Sequence, residues 1–396
     1  MDRIAANGTR FERAYCTHPL CCPARASYVS GLMPHQAGVT SNGSPLHEAL
    51  LPKTIGNVLR SAGYDAALAG KWHVPGCTPE DCGLDVLCPM DDALVPKVSA
   101  EYFNVERDRP FFLFASFINP HDICKVARNQ ELPQGPVSSA AIEDCPVLPD
   151  NFAIPPYAPE ALQMLRQRSP RIYPKLDWSE DDWRHFRHAY YRLCEKVDAE
   201  VVRMLDALDA SGHADNTVII FTSDHGDGHG AHHWNQKTAL WEEEIRVPML
   251  VSAPGGARGQ VTERLVSNGL DLLPTVCDYA GVDCPDGLDG LSLRPTVEGD
   301  TAGKWRDEVI VETQVNFGDG PSGPSFARSL VADRYKYSVY LMGRNREQLI
   351  DLHADLGEMV DLAVELRHAD TLGEMRGRLR RWAEETDDPG AKIVPR

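Results

Sequence analysis

Apolar residues follow helical and strand spacings in alternation along this chain. Ile55, Val58, Leu59 and Ala62 recur at helical spacing and stop at Gly63, after which residues 64–69 read as a short strand. Residues 111–118 form a continuous apolar run bounded by Pro110 and Pro120, too short for a typical helix and long enough for a buried strand. Leu193, Val197, Val201, Leu205 and Leu208 mark one face of a long helix stopped at Gly212, and residues 218–221 are a second buried strand. Residues 248–252 predict a further strand, and residues 270–280 a helix closed by Gly281. This alternation predicts an α/β fold with a largely parallel central sheet sandwiched by helices, its functional residues gathered beyond the C-terminal ends of the strands.

Two stretches interrupt the pattern. Residues 119–177 are proline-rich and irregular, which predicts an ordered excursion over the surface bordering a binding site. Residues 284–303, rich in Gly, Pro and Asp, divide a catalytic domain at 1–300 from a smaller α+β subdomain at 301–396. The latter holds strands near 308–313, 329–332 and 335–341. Its last helix, with Leu372, Met375, Leu379 and Trp382 on one face, is expected to dock on the main sheet.

Composition narrows the class. A 396-residue chain with 42% hydrophobic residues can bury a large core. A net charge of −18 argues against nucleic acid as a partner. No apolar run approaches the ~20 residues that span a bilayer, and no signal peptide is visible at the polar N-terminus. Eleven cysteines, with short spacings only at Cys77, Cys82 and Cys88, do not indicate a disulfide framework.

Chemistry concentrates in a few places. In Cys21-Cys22-Pro23-Ala24-Arg25, proline suits a first helical turn, so Cys21 falls at the positive end of a helix with Arg25 one turn on. That arrangement favours nucleophilic attack on an anionic ester, and a buried helix start is the plain alternative. Gly70-Lys71-Trp72-His73 follows a predicted strand, and in extended chain Lys71 and His73 share a side. His121 lies just beyond the 111–118 strand, where it either caps that strand or serves a site. Asp224-His225 follows the 218–221 strand as a metal or phosphate-type pair, with His229, His232 and His233 close by in sequence.

The Cys-x-Pro-x-Arg pattern resembles the maturation motif of the sulfatase family, and its register selects Cys21, because Ala24 and Ala26 occupy the corresponding places after Cys22. The resemblance implies that Cys21 is oxidised to formylglycine by a formylglycine-generating enzyme. It implies that Arg25, Lys71, His73, His121 and Lys237 are catalytic, with His121 protonating the leaving group and His73 taking a proton in the second step. It further implies that Asp224 and His225 ligate one divalent cation, usually calcium, with zinc or manganese as rivals. The substrate expected is a sulfated small molecule or sugar; a phosphonate monoester or phosphodiester is the alternative within the same superfamily. Family members also begin with an apolar strand ending in Asp-Asp, which supplies two more metal ligands. Asp2-Arg3-Ile4-Ala5 resembles the helix that follows that strand, so Met1 is expected to be an internal methionine, the chain is expected to lack those ligands, and an inactive remnant is a further alternative. The cellular compartment is not legible.

Overall fold

The structure, a computed structural model, describes residues 1–168, 178–235, 237–316 and 324–395. Its main body is a mixed α/β sandwich. One sheet is wholly parallel, with Asp65–Gly70 between Asp85–Cys88 and Phe111–Ser116. A second runs Ile219–Thr222, Met249–Ser252, Thr9–Phe11, Gln260–Thr262, and only its last pair is parallel. A third, two-stranded parallel sheet pairs Ala14–Tyr15 with Val266–Ser267, so among the described residues the expected single sheet is in three parts, one of them mixed.

Strand periodicity explains the layers. Phe112 and Phe114 pack toward Ile55, Leu59, Leu273 and Cys277, whereas Leu113 and Ala115 pack toward Val95 on the opposite face. On that first face lies the helix Cys21–Ser30 beside Asn268–Ala280, which ends on Gly281 in the left-handed region (φ 67°). On the other lies the 31-residue helix Glu180–Ala210. Ser179 caps it by accepting from Asp182 N (3.2 Å) while Ser179 N donates to Asp182 Oδ2 (2.8 Å). Its apolar stripe of Val197, Val201 and Leu205 meets Ile219, Phe221 and Leu250. Burying each such side chain contributes about 1.5–3 kcal/mol, so this stripe rather than helix propensity holds the element.

The C-terminal part is a smaller α+β unit. Glu308–Asn316, Pro324–Ala332, Tyr335–Tyr340 and Glu347–Asp351 form an antiparallel sheet in chain order. The helix Ala369–Glu385 does not dock on the main sheet as expected. Leu372, Met375 and Leu379 pack with Leu330, Tyr337, Val339 and Leu349, so the nearer apolar face of its own sheet takes the stripe. Within the proline-rich excursion the described residues form two α-helices, Ile123–Ala127 and Glu160–Arg168, and one 3-10 turn, Ile142–Asp144; residues 169–177 lie outside the described residues. Among the described residues no helix is long and apolar enough to cross a membrane.

Phe111–Ser116 and Ile219–Thr222 each end their sheet, paired on one side only among the described residues. Both strands line one cavity of about 1190 Å³, walled further by Val197, Val201 and Leu205 of the long helix.

Candidate active site

Cys21, Arg25, Lys71, His121, Asp224, His225 and Lys237 all line this cavity. Cys21 is the first residue of the Cys21–Ser30 helix, whose preceding residue Leu20 is extended (φ −153°) and whose end is set by Gly31 (φ 69°). The helix is buried along its whole length. It can approach Asn268–Ala280 closely because Gly269 lacks a side chain: a Cβ there would lie 2.7 Å from Ser27 Cβ.

Lys71, His121 and Asp224-His225 stand at the C-terminal ends of three strands, as an α/β sheet requires, whereas Arg25 is on the Cys21 helix and Lys237 precedes the short helix Glu242–Ile245. Lys71 follows Asp65–Gly70 and its N–H donates to Ser116 O (2.8 Å). His121 follows Phe111–Ser116 on a turn organised by Asp92, whose carboxylate accepts from Ile118 N (2.6 Å), Asn119 N (3.1 Å) and Asn119 Nδ2 (2.8 Å). Asp224 and His225 follow Ile219–Thr222, and the carbonyl of Ser223 accepts from Tyr28 Oη (2.6 Å) and Asn268 Nδ2 (2.8 Å). At Gly226 the chain runs against the next segment, its N–H donating to Glu244 O at 2.8 Å; a Cβ would meet Glu243 O at 1.9 Å, so only glycine fits.

Charge is arranged around one sulfur. Lys237 Nζ and His225 Nε2 each lie 3.3 Å from Cys21 Sγ. Burial would push this thiol up, but Lys237 and His225, with hydrogen bonds from His121 and His225, hold it well below its ordinary value. His225 Nδ1 donates to Gly226 O (2.7 Å), which leaves Nε2 as the ring nitrogen that faces residue 21. Arg25 Nε donates to Asp224 Oδ2 (2.9 Å), and its Nη1 donates to Ser116 Oγ (2.8 Å) and Lys71 O (3.1 Å). Lys71 Nζ stands 3.6 Å from the same Asp224 oxygen. Burial opposes ionisation of Asp224, yet His225, Arg25 and Lys71 keep its carboxyl well below the usual range. Hydrogen bonds with Cys124 and Cys21 raise His121 above its ordinary value.

A divalent cation has a place here. Cys21, Asp224 and His225 bring one ligand atom each within 4.8 Å of one another. One carboxylate and one lone-pair nitrogen fit such an ion with several coordination positions left open, fewer than the six to eight oxygens that calcium takes. The nearby histidines do not join that group. His232 stacks on Trp241 (4.0 Å between ring centroids), His233 packs on Phe152 (4.8 Å), and His229 lies beside Arg187 Nη1 (3.2 Å).

His73 stands apart. It is exposed and does not line the cavity, because its backbone is left-handed (φ 66°) and breaks the extended alternation that would have set it beside Lys71. Cys22 turns the other way, its Sγ 3.9 Å from Asn42 O within an apolar cluster that includes Ala26 and Val29. Ser116, Tyr28 and Asn268, which position Arg25 and the Asp224 loop, carry no sequence signal. Asp227, half-buried and with its carboxyl pushed up by desolvation, also lines the cavity and carries no sequence signal of its own.

A thiol at a helix start beside Lys237 and His225, with Arg25 and Lys71 in the same cavity, suits a hydrolase site for an anionic ester. Similarity to known proteins narrows this. Residues 1–282 match the sulfatase family, and residues 230–385 match the family described as N-sulphoglucosamine sulphohydrolase, C-terminal. The chain is 32% identical over 418 residues to the Delta 4,5-hexuronate-2-O-sulfatase of Bacteroides thetaiotaomicron, covering 98% of this chain and 84% of that protein. A solved 2-O GAG sulfatase superposes with a TM-score of 0.85 at 29% identity, covering 98% of this chain and 86% of that one. A phosphonate monoester hydrolase of Agrobacterium radiobacter shares the fold, with a TM-score of 0.78 at 23% identity over 97% of this chain and 90% of that one. The chain belongs to the sulfatase family, and is a sulfate ester hydrolase.

Proposed function

We propose that the protein cleaves the sulfate monoester of a sulfated sugar through residue 21 after its conversion to formylglycine. The observation that carries this reading is the setting of Cys21 Sγ, 3.3 Å from both Lys237 Nζ and His225 Nε2, where an oxygen in place of sulfur would be hydrogen-bonded at once. Formylglycine supplies a hydrated aldehyde, two hydroxyls on one carbon, one to attack sulfur and one whose deprotonation releases sulfate. Lys71, Lys237 and Arg25 orient the sulfuryl group and offset the charge that develops on its oxygens. His121, in hydrogen-bond contact with residue 21, gives its proton to the departing alcohol and, once neutral, takes one back in the second step. That assignment gives His121 the task that the family resemblance lays on His73. Asp224 and His225 would hold a divalent cation, whose charge favours the ionised nucleophile. The sugar preference rests on the name of the 32%-identical relative, a hexuronate sulfatase.

The test is peptide mass spectrometry of residue 21 after co-expression with a formylglycine-generating enzyme. Conversion removes about 18 Da from the thiol peptide, with the hydrate at unchanged mass. A peptide that stays alkylatable at Cys21 while the enzyme turns over sulfate esters would sink the proposal. A phosphorus ester is the rival substrate, since the same cations suit it; a higher kcat/KM for an aryl phosphonate ester than for a sulfated disaccharide would decide for it.

Two further outcomes are expected. His121→Gln lowers kcat by about 10²–10⁴-fold on a sugar sulfate, whose alcohol needs protonation, and by less on nitrophenyl sulfate, whose leaving group does not. Dialysis against a chelator lowers both turnover and melting temperature, and adding back calcium, manganese or zinc singly identifies the ion by which one restores the melting temperature. Asp224→Asn should abolish that thermal response.

A further inference from the structure

The chain beyond His73 makes a compact turn that carries two thiols in contact. Cys77 Sγ lies 3.5 Å from Cys82 Sγ. Cys82 is fully buried, whereas Cys77 is partly exposed, so a reagent can reach one sulfur and not the other. The turn between them is held by its own polar groups. Thr78 N donates to Asp81 Oδ2 (2.8 Å), Asp81 N donates back to Thr78 Oγ1 (3.2 Å), and Cys82 N donates to Pro79 O (3.0 Å). Both ends are also tied to neighbours. Trp72 Nε1 donates to Cys77 O (3.1 Å), Asn57 Nδ2 to Asp81 O (2.8 Å) and Thr54 Oγ1 to Cys82 O (3.2 Å). The two sulfurs are thus pre-positioned by contacts that do not depend on their being bonded.

We propose that Cys77 and Cys82 form a thiol–disulfide exchange site, closed by a low-molecular-weight disulfide such as oxidised glutathione. The Cys77 thiolate attacks one sulfur of the glutathione disulfide, breaking its S–S bond and releasing one glutathione thiolate. The hydrogen bond with Cys77 and burial push the Cys82 thiol up, and the Cys77 part of that is gone once Cys77 is in the mixed disulfide; Cys82 then loses its proton, attacks the Cys77 sulfur and releases the second glutathione. Two protein thiols are oxidised to one disulfide, one glutathione disulfide is reduced to two thiols, and the protons pass to the released thiolates. The hydrogen bond with Cys82 lowers the Cys77 thiol from its ordinary value against its burial, which suits the exposed sulfur to attack first.

Closure brings the sulfurs from 3.5 Å to about 2.05 Å, a movement within reach of side-chain rotation on a turn already formed. The covalent loop then ties the Trp72 indole contact to the helix Ile55–Ser61 through Asn57. Lys71 immediately precedes Trp72, so closure stiffens the segment that carries one of the cations of the site. This site is independent of how residue 21 reacts.

The experiment uses the full chain, equilibrated in glutathione buffers of increasing disulfide content, blocked with N-ethylmaleimide, and cleaved after glutamate without reduction. Cleavage after Glu80 separates Cys77 from Cys82 unless they are bridged. The expected result is a joined pair of fragments about 2 Da below the sum of the thiol forms, split by dithiothreitol. It persists in Cys88→Ser and is lost in Cys77→Ser, a change at the partly exposed position. Three results would overturn the proposal: both cysteines alkylated in disulfide-rich buffer, glutathione retained on Cys77 without resolution, or a bridge from either cysteine to Cys88.

Discussion

Replacing Cys21 with alanine lowers kcat toward a sulfate ester by about 10³-fold or more, while Cys22→Ala leaves kcat within about threefold of the parent. The contrast between adjacent cysteines follows from where each sulfur points. Cys21 Sγ faces Lys237 and His225 in the cavity, and Cys22 Sγ faces Asn42 O in an apolar cluster. Loss of the Cys22 sulfur leaves a small void, which costs stability rather than turnover. Steady-state kinetics on both variants, with circular dichroism to establish that each is folded, reads the difference. Equal losses in the two would mean that the helix start serves packing and that the nucleophile lies elsewhere.

Arg25→Ala is expected to destabilise the protein by about 3–5 kcal/mol as well as to abolish turnover, because it strands a buried carboxylate. Arg25 Nε and Asp224 Oδ2 are 2.9 Å apart with side chains only 8% and 13% exposed. Lys71, 3.6 Å away, compensates in part, so the loss falls toward the lower end of that range. Asp224→Asn on top of Arg25→Ala should recover stability, since the amide needs no counter-charge, and recovery without recovered activity separates the two roles of the pair. The pH dependence has a defined sign. The carboxyl of Asp224 titrates below its ordinary value in the folded protein, so its contribution is complete above about pH 4 and is lost as pH falls through the lower folded value. Removing Arg25 raises that folded value and moves acid unfolding to higher pH. Urea unfolding of the parent and the single and double variants at several pH values measures both effects.

Much of this arrangement is legible in local signals. Proline and glycine bracket the Cys21–Ser30 helix, and apolar runs ahead of Lys71, His121 and Asp224 mark the strands whose ends deliver them. Each of those features is written within about ten consecutive residues, the scale on which sequence pattern speaks. What is not legible depends on contacts distant in sequence. Ser116 and Asn268 matter only because Arg25 and the Asp224 loop come to rest against them. The expected place of His73 rests on extended chain, and one left-handed residue defeats that assumption. The last helix displays a clear apolar face, but a face does not name its partner, and the C-terminal sheet is the closer one. Sheet order is equally silent in the pattern: apolar runs at 111–118 and 218–221 read as buried strands without revealing that both end their sheets.

Those two edge strands have a dynamic consequence. Successive residues of a strand send their N–H groups to opposite sides, so in Phe111–Ser116 and Ile219–Thr222 one alternate set is locked in a ladder while the other faces the cavity. Cavity-facing amides have no ladder partner among the described residues, and their residues are only half-buried. Hydrogen–deuterium exchange should therefore split each strand into slow and fast residues at a spacing of two, beside the reactive centre. The long helix Glu180–Ala210 closes over these edges, so its local opening sets the exchange rate of the fast set.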